Sequence, residues 1–421
     1  VSWPVHPALG DPVMDTMNFL NEIAARYPAA ISFAPGRPYD GFFDVEQIFG
    51  HLRGYLDHLA AGLNPAQVRD ALFQYGPTAG RIQGLIAEAL RQDEGFDVPD
   101  ESIVVTVGAQ EAMLLTVRAL FSRPEDVLLV CSPCYVGVVG VARLLGVTVR
   151  AVPERENGLD AGDLELAIKA EKALGNNPRA VYVIPDHSNP SGNTLGLETR
   201  EQVLQIAHRE QVLVLEDSPY RWAGPSEPVP SLKRLDQHRQ VVQLGSFSKT
   251  VFPGARVGYV VADQEVAGGG LLAAELAKVK SMVTVNTPPL SQAVVAGALL
   301  SGGGGVRDLT AQTRRHYQRA MQLTLDQLEL RLAGLPVRWN RPSGGFFLSL
   351  QVPFPADDRE LISCAEEFGV LWTPMRYFHP DSGGEHGIRL SISCLSDEEI
   401  VTGVSRLAVY LTSRCSATSR Q

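Results

Sequence analysis

A lysine in a turn of small hydroxyl residues, with an arginine close behind it, can form covalent bonds and hold an anion at the same time. In QLGSFSKTVFPGARVGYVVA an apolar run ends at Gly245, Ser246 and Ser248 lead into Lys249, and Arg256 precedes the next apolar run. The hydroxyls and the guanidinium suit a phosphate and leave the amine free to face a crevice. VLVLEDSPYR sets Asp217 at the end of a second apolar run, with Tyr220 just beyond it. A buried carboxylate there can pair with a ring nitrogen and hold it protonated. AVYVIPDHSNPSG ends a third run and presents Asn189 in an Asn-Pro-Ser-Gly turn. VTVGAQEAMLLTVRALF reads as strand, turn and helix, and free amides at that helix start suit a phosphate. Taken singly, each has an ordinary reading: a surface lysine, an Asp capping a turn, a cluster of turn formers.

The elements that must carry these residues are legible. SIVVTVG, DVLLVCS, TVRAVP, AVYVIP, VLVLED, VVQLGS and RVGYVVA are rich in Val, Ile and Leu and show little alternation, which predicts strands buried on both faces. Helical spacing lies between several of them: AQEAMLLTVRALF, Ala161 to Leu174, and LETREQVLQIAHREQ. Strand and helix in alternation predict an α/β domain with a largely parallel sheet over residues 61–305. Ligands of such sheets sit outside the carboxyl ends of the strands, where the polar residues above fall. From residue 306 the pattern becomes α+β: a long helix (Val306 to Ala333), VRWN, GGFFLSL, a helix near ELISCAEEFG, IRLSIS and a final helix. This predicts a smaller C-terminal domain over 306–421, with residues 1–60 packing against it.

Composition narrows the partners. With 37 Lys and Arg against 47 Asp and Glu, the formal charge is −10, which offers no electrostatic footprint for nucleic acid. Five scattered cysteines do not make a disulfide scaffold, which predicts a reducing, cytoplasmic setting. The start VSWPVHPALGDP has no basic, apolar leader pattern. The uncharged stretch from Ser281 to Val306 is broken by Asn286, Pro288, Pro289 and a glycine run, so no membrane span is expected. Cys131 and Cys134 fit the Cys-x-x-Cys spacing but lack a second pair, and no His spacing suggests a metal, so none is expected. Gly302 to Gly305 lacks the following Lys-Ser/Thr of a nucleotide loop.

In order, YGPTAG, VGAQEA, NPSG, EDSPY, SFSKTVFPGARVGY and IRLSIS resemble the class I/II aminotransferases, pyridoxal-phosphate enzymes of fold type I. The resemblance runs from about residue 15 to 410 and implies an amino-acid:2-oxo-acid aminotransferase. It implies that Lys249 bonds the cofactor's aldehyde, that Asp217 pairs with its pyridine nitrogen, and that Asn189 and Tyr220 bond its phenolate oxygen. Tyr135 resembles the aromatic residue stacked on the ring. Ala109, Gln110, Ser246, Ser248 and Arg256 resemble the phosphate cup. Tyr75 resembles the tyrosine that reaches the neighbouring subunit's phosphate, implying a homodimer with shared sites. Arg389 resembles the arginine that clamps the substrate's α-carboxylate. On this pattern the cofactor supplies an electron sink, and the freed Lys249 amine moves the proton.

The side-chain specificity is read from ISFAPGRPYDGFFD, where related enzymes cover the substrate. Arg37, Tyr39, Phe42 and Phe43 make an aromatic and cationic lid suited to an aromatic amino acid, and the loop resembles family members that form arylglycines for antibiotic biosynthesis. His187, two positions before Asn189, is a candidate to face the substrate or else a solvated loop histidine. Two alternatives stay open on the residues: oxidation, hydroxylation or cyclisation on the same cofactor, with arginine as an example substrate, and the effector-sensing half of a transcription regulator.

Overall fold

A computed structural model describes residues 2–225 and 227–418 of the chain. The apolar runs assemble an eight-stranded sheet in the order Ile103–Thr106, Gly258–Val261, Val241–Ser246, Leu213–Asp217, Asn177–Val183, Asp126–Ser132, Thr148–Arg155 and Gly158–Leu159. From Val241–Ser246 to Thr148–Arg155 the neighbours are parallel. Gly258–Val261 runs antiparallel to both its neighbours, and Gly158–Leu159 antiparallel at the far edge. The result is the largely parallel α/β sheet that the apolar runs predict.

The absence of alternation has a direct cause. Leu128, Tyr182 and Leu215 enter one buried cluster, while the next or preceding residues Leu129, Val183 and Val214 enter another on the opposite face. Both faces are covered, so both must be apolar, and each buried Leu or Val contributes about 1.5–3 kcal/mol. Polar residues then appear where a strand leaves the sheet, as Asp217 and Ser246 do.

The C-terminal part builds a four-stranded antiparallel sheet in the order Arg338–Trp339, Phe347–Gln351, Gly387–Ser391 and Thr373–Pro374. The helices Ala311–Leu332 and Asp397–Thr418 pack together beside it. The first of these starts later than its periodicity suggests, because Asp93 Oδ2 accepts from the amides of Val306 at 2.5 Å and Arg307 at 3.3 Å and holds that stretch as a turn.

The N-terminal residues divide in their packing. Ile31–Ser32 pairs in parallel with Val370–Leu371, and Ser391 N donates to Phe33 O at 2.7 Å, tying this stretch to the C-terminal sheet. The helix Val45–Ala60 instead lies along Pro289–Ser301, within residues 61–305. Gly297 makes that approach possible: a Cβ there would stand 1.7 Å from His51 O. Between these two contacts, residues 33–38 cross the carboxyl ends of the large sheet's strands.

Candidate active site

A cavity of about 630 Å³ opens at those strand ends, walled by Ala109, Gln110, Tyr135, Asn189, Asp217, Tyr220, Ser246, Ser248, Lys249, Arg256 and Arg389, with Arg37 at its edge. Residues spread over about three hundred and fifty positions of sequence thus meet in one place. Lys249 follows Val241–Ser246, and its Nζ donates to Gly36 O at 2.7 Å. The residue is half-buried, and desolvation brings the pKa of its amine down to about 8 against a smaller opposing effect from Cys394. A neutral amine near that pH is a nucleophile and a base.

Asp217 is 2% exposed. Its Oδ2 accepts from Tyr182 Oη at 2.5 Å, while Oδ1 is buried with no partner. Desolvation lifts the carboxyl to about 7, partly offset by the Tyr182 bond. An orphaned buried oxygen is costly unless a ligand pairs it, so Oδ1 marks where a ligand N–H belongs. Above it, Tyr135 Oη donates to Gln110 Oε1 at 3.3 Å, and burial pushes its phenol up to about 12. Asn189 Nδ2 approaches Tyr220 Oη at 3.5 Å, and burial raises that phenol too.

The anion-binding wall is built from backbone as much as side chains. The helix Gly108–Leu120 begins directly after Ile103–Thr106, with no side chain capping its first amides. Those amides are free donors with the positive end of the helix dipole behind them. Arg256 holds φ +51°, and its Nη1 donates to Ser248 Oγ at 3.3 Å. Two glycines admit this packing. A Cβ on Gly108, at φ +71°, would meet Arg256 Nη2 at 2.5 Å, and one on Gly258 would meet Gly245 O at 2.7 Å and Ala109 N at 2.9 Å.

Arg389 sits on Gly387–Ser391 and is 3% exposed. Nη1 donates to Asn189 Oδ1 at 3.0 Å, and Nη2 to Thr373 Oγ1 at 3.1 Å and to the carbonyl of Ala34. Its guanidinium lies 4.6 Å from the ring of Phe347 and 4.7 Å from that of Phe378. Desolvation brings it down to about 10, and its Nε has no partner in the buried interior. A buried cation with a spare donor and no carboxylate suits a carboxylate ligand.

Five residues that the sequence singled out lie elsewhere, among them Phe43, which is 43% exposed and outside the cavity wall. Tyr75 is 83% exposed and outside the cavity wall. Tyr39 turns away, its ring 4.3 Å from that of His316 and its amide bonded to Tyr317 Oη at 3.0 Å. Phe42 packs on the same histidine. His187 is neither solvated nor on the cavity wall: it is 2% exposed, and its Nδ1 lies 3.2 Å from Thr194 Oγ1. Its ring fills the space left by Gly224 and Gly345, and burial lowers its pKa to about 4. Cys131 and Cys134 are free thiols whose pKa values burial raises, the opposite of a reactive pair.

Sequence reasoning missed Tyr182, which reads as one more apolar residue of its strand, and the stitching of the N-terminal loop. Successive carbonyls of that loop accept from Arg389 at Ala34, Ser391 at Pro35, Lys249 at Gly36 and Ser393 at Arg37. Met113, Val136, Ile184 and Phe378 complete the apolar wall. No group of three or more metal-ligating side chains occurs among the described residues, and no helix among them is long and apolar enough to cross a membrane.

Residues 58–407 match the sequence profile described as aminotransferase class I and II. The (S)-3,5-dihydroxyphenylglycine transaminase of Amycolatopsis orientalis is 49% identical over 413 residues, 97% of this chain and 94% of that protein. The crystal structure of an alpha-aminoadipate aminotransferase from Thermus thermophilus, complexed with N-(5'-phosphopyridoxyl)-L-leucine, is 29% identical. It superposes with a TM-score of 0.82 over 99% of this chain and 100% of that one. A Pyrococcus horikoshii kynurenine aminotransferase in complex with PMP has a TM-score of 0.82 at 25% identity, over 94% of each chain.

Proposed function

The chain belongs to the class I and II aminotransferases, and from that premise we propose that it aminates and deaminates an arylglycine-type substrate in antibiotic biosynthesis. Its activity as a pyridoxal-phosphate-dependent aminotransferase follows from the family. The narrower substrate is supported by the 49% identity to a dihydroxyphenylglycine transaminase and by a cavity wall that joins Met113, Ile184 and Phe378 to the cation of Arg37.

The site fits the cofactor on its own chemistry. The unpartnered Asp217 Oδ1 suits a protonated ring nitrogen, and the glycine-lined cup with Arg256 suits a phosphate. When bound, pyridoxal phosphate supplies an aldehyde for the amino group and a ring that accepts the electron pair left at the substrate's Cα. In this reading Ala109, Gln110, Ser246, Ser248 and Arg256 hold the phosphate, Tyr135 covers the ring, and Asn189 and Tyr220 bond its phenolate. Arg389 fixes the substrate carboxylate, giving up its bond to Ala34. Lys249 would remove the proton from the substrate's Cα and return it on the other side of the transfer. The apolar wall excludes water that would quench the exchange.

We assign residues 61–305 to the cofactor-binding domain and 306–421 to the smaller one, with residues 1–60 bridging them. A homodimer is supported by exposed Phe73, Tyr75, Met282, Val283 and Val285, an apolar set out of place on a free surface. Tyr75 then reaches the second site from outside. Five free cysteines suit a cytoplasmic setting.

The single observation that carries the function is that half-buried Lys249 and buried Asp217 line one cavity. Mixing the reconstituted enzyme with a panel of amino acids and following cofactor absorbance tests it. Arylglycines should convert the cofactor to its amine form faster than aliphatic donors, with no oxygen consumed. Equal or slower conversion by arylglycines refutes the substrate class.

A further inference from the structure

Oδ1 of Asp217 suits the cofactor's ring nitrogen, which leaves its other oxygen without a task. Yet Oδ2 makes a 2.5 Å contact with Tyr182 Oη, deep in the protein. Tyr182 is 1% exposed and stands on Asn177–Val183, in register with Leu215 of the neighbouring strand. Asp217 lies two residues past Leu215 on the same face, so the pleat delivers the hydroxyl to the carboxylate. The other groups closing on this carboxylate are Tyr135 and Tyr220, both uncharged at neutral pH, with the cations of Arg256, Lys249 and Arg389 farther around the cavity. Among these neighbours, Tyr182 alone donates to Asp217 within the described residues.

We propose that Tyr182 is a positioning residue that keeps the proton shared by Asp217 and the cofactor's ring nitrogen on the nitrogen. The inference rests on the cofactor reading above. Two arrangements compete when the ring is seated: a carboxylate facing a protonated ring, or a carboxylic acid facing a neutral ring. They differ only in the position of one proton, between Oδ1 and the ring nitrogen. A dry site favours the neutral pair, because separated charges lose their hydration. A hydroxyl donating to Oδ2 favours the carboxylate, because a hydrogen bond to the charged form is the stronger one. It also fixes the plane of the carboxylate, so that Oδ1 and not Oδ2 points into the cavity. A protonated ring is the better electron acceptor, and Tyr182 thereby acts on the chemistry without touching the cofactor.

The test is spectroscopic. Wild type and Tyr182→Phe are reconstituted with pyridoxal phosphate carrying ¹⁵N in the ring, and the nitrogen chemical shift is recorded at neutral pH. The wild type should show the protonated-ring position and Tyr182→Phe a shift toward the unprotonated one. kcat should fall at least tenfold, with a smaller change in KM. A loaded Tyr182→Phe enzyme that keeps the wild-type shift overturns the proposal. If that variant holds no cofactor, fluorinated tyrosines at position 182 replace it. The shift must then move further toward the protonated position as the hydroxyl becomes more acidic, and a shift indifferent to that series overturns the proposal equally. A wild-type protein that takes up no pyridoxal phosphate refutes the cofactor reading itself.

Discussion

Replacing Gly258 with alanine should strip the protein of most of its affinity for the cofactor's phosphate without unfolding it. The added Cβ would stand 2.7 Å from Gly245 O, 2.8 Å from Gly108 C and 2.9 Å from Ala109 N. All three are backbone atoms, so no side chain can swing aside to relieve the contact. The seam must part, and it joins the strand leading to Lys249 to the helix start that offers free amides. Overpacking of this kind costs about 1–3 kcal/mol. Losing one hydrogen bond to a charged phosphate costs about 1.5–3 kcal/mol more, but only in the bound state. The dissociation constant should therefore rise roughly 10- to 150-fold, at about 1.4 kcal/mol per decade. Titrating the cofactor-free protein with pyridoxal phosphate and following tryptophan fluorescence measures it. Gly140→Ala is the control, since a Cβ there meets nothing within 4 Å. A folded Gly258→Ala protein that binds the cofactor as tightly as Gly140→Ala would show that the helix start is not part of the phosphate cup.

Lys249→Ala should lower transamination by more than about a thousandfold, since the proton carrier is gone, and borohydride should leave no pyridoxyl label at that position. Arg389→Lys keeps the charge and loses the fork that now reaches Asn189 and Thr373, so kcat/KM should fall about 10- to 100-fold, mainly through KM in steady-state assays. Asp217 holds its proton up to about pH 7 in the cofactor-free fold. The unfolded carboxyl releases it near pH ~3.9, so between those values the native state binds more protons and stability falls as pH rises. Asp217→Asn should flatten that fall in melting curves of the cofactor-free protein, though not abolish it, because Glu154 and Glu216 are also raised to about 7. Ser391→Ala with Ser393→Ala removes two bonds to the N-terminal loop, each worth about 0.5–1.5 kcal/mol, and should speed hydrogen exchange at residues 34–38.

The residues proposed for the phosphate cup, and the lysine beside them, were legible because they are local. SFSKTVFPGAR packs three hydroxyls, an amine and a guanidinium into one short segment, and VGAQEA puts a helix start directly after a strand. The turn chemistry that shapes such a segment is written in the segment itself. The parallel sheet was legible for a related reason: strands buried on both faces cannot hide their composition. The boundaries of the long C-terminal helix were less so, since the residue that delays its start, Asp93, lies more than two hundred positions away.

What escaped the sequence has one physical cause, which is that a side chain's partner depends on strand register and on where a distant loop is laid down. Tyr182 sits in AVYVIP as one more apolar strand residue, and only its alignment with Leu215 reveals that its hydroxyl meets Asp217. Tyr39 looked like a lid residue because its loop crosses the site, yet the backbone sends Arg37 toward the cavity and Tyr39 toward His316. The same loop shows why the distinction matters. Its carbonyls at Ala34 and Gly36 engage the guanidinium and the amine proposed for the reaction, so a ligand that takes the same N–H groups displaces a loop contact. Those contacts join residues more than two hundred positions apart, and no short motif encodes them.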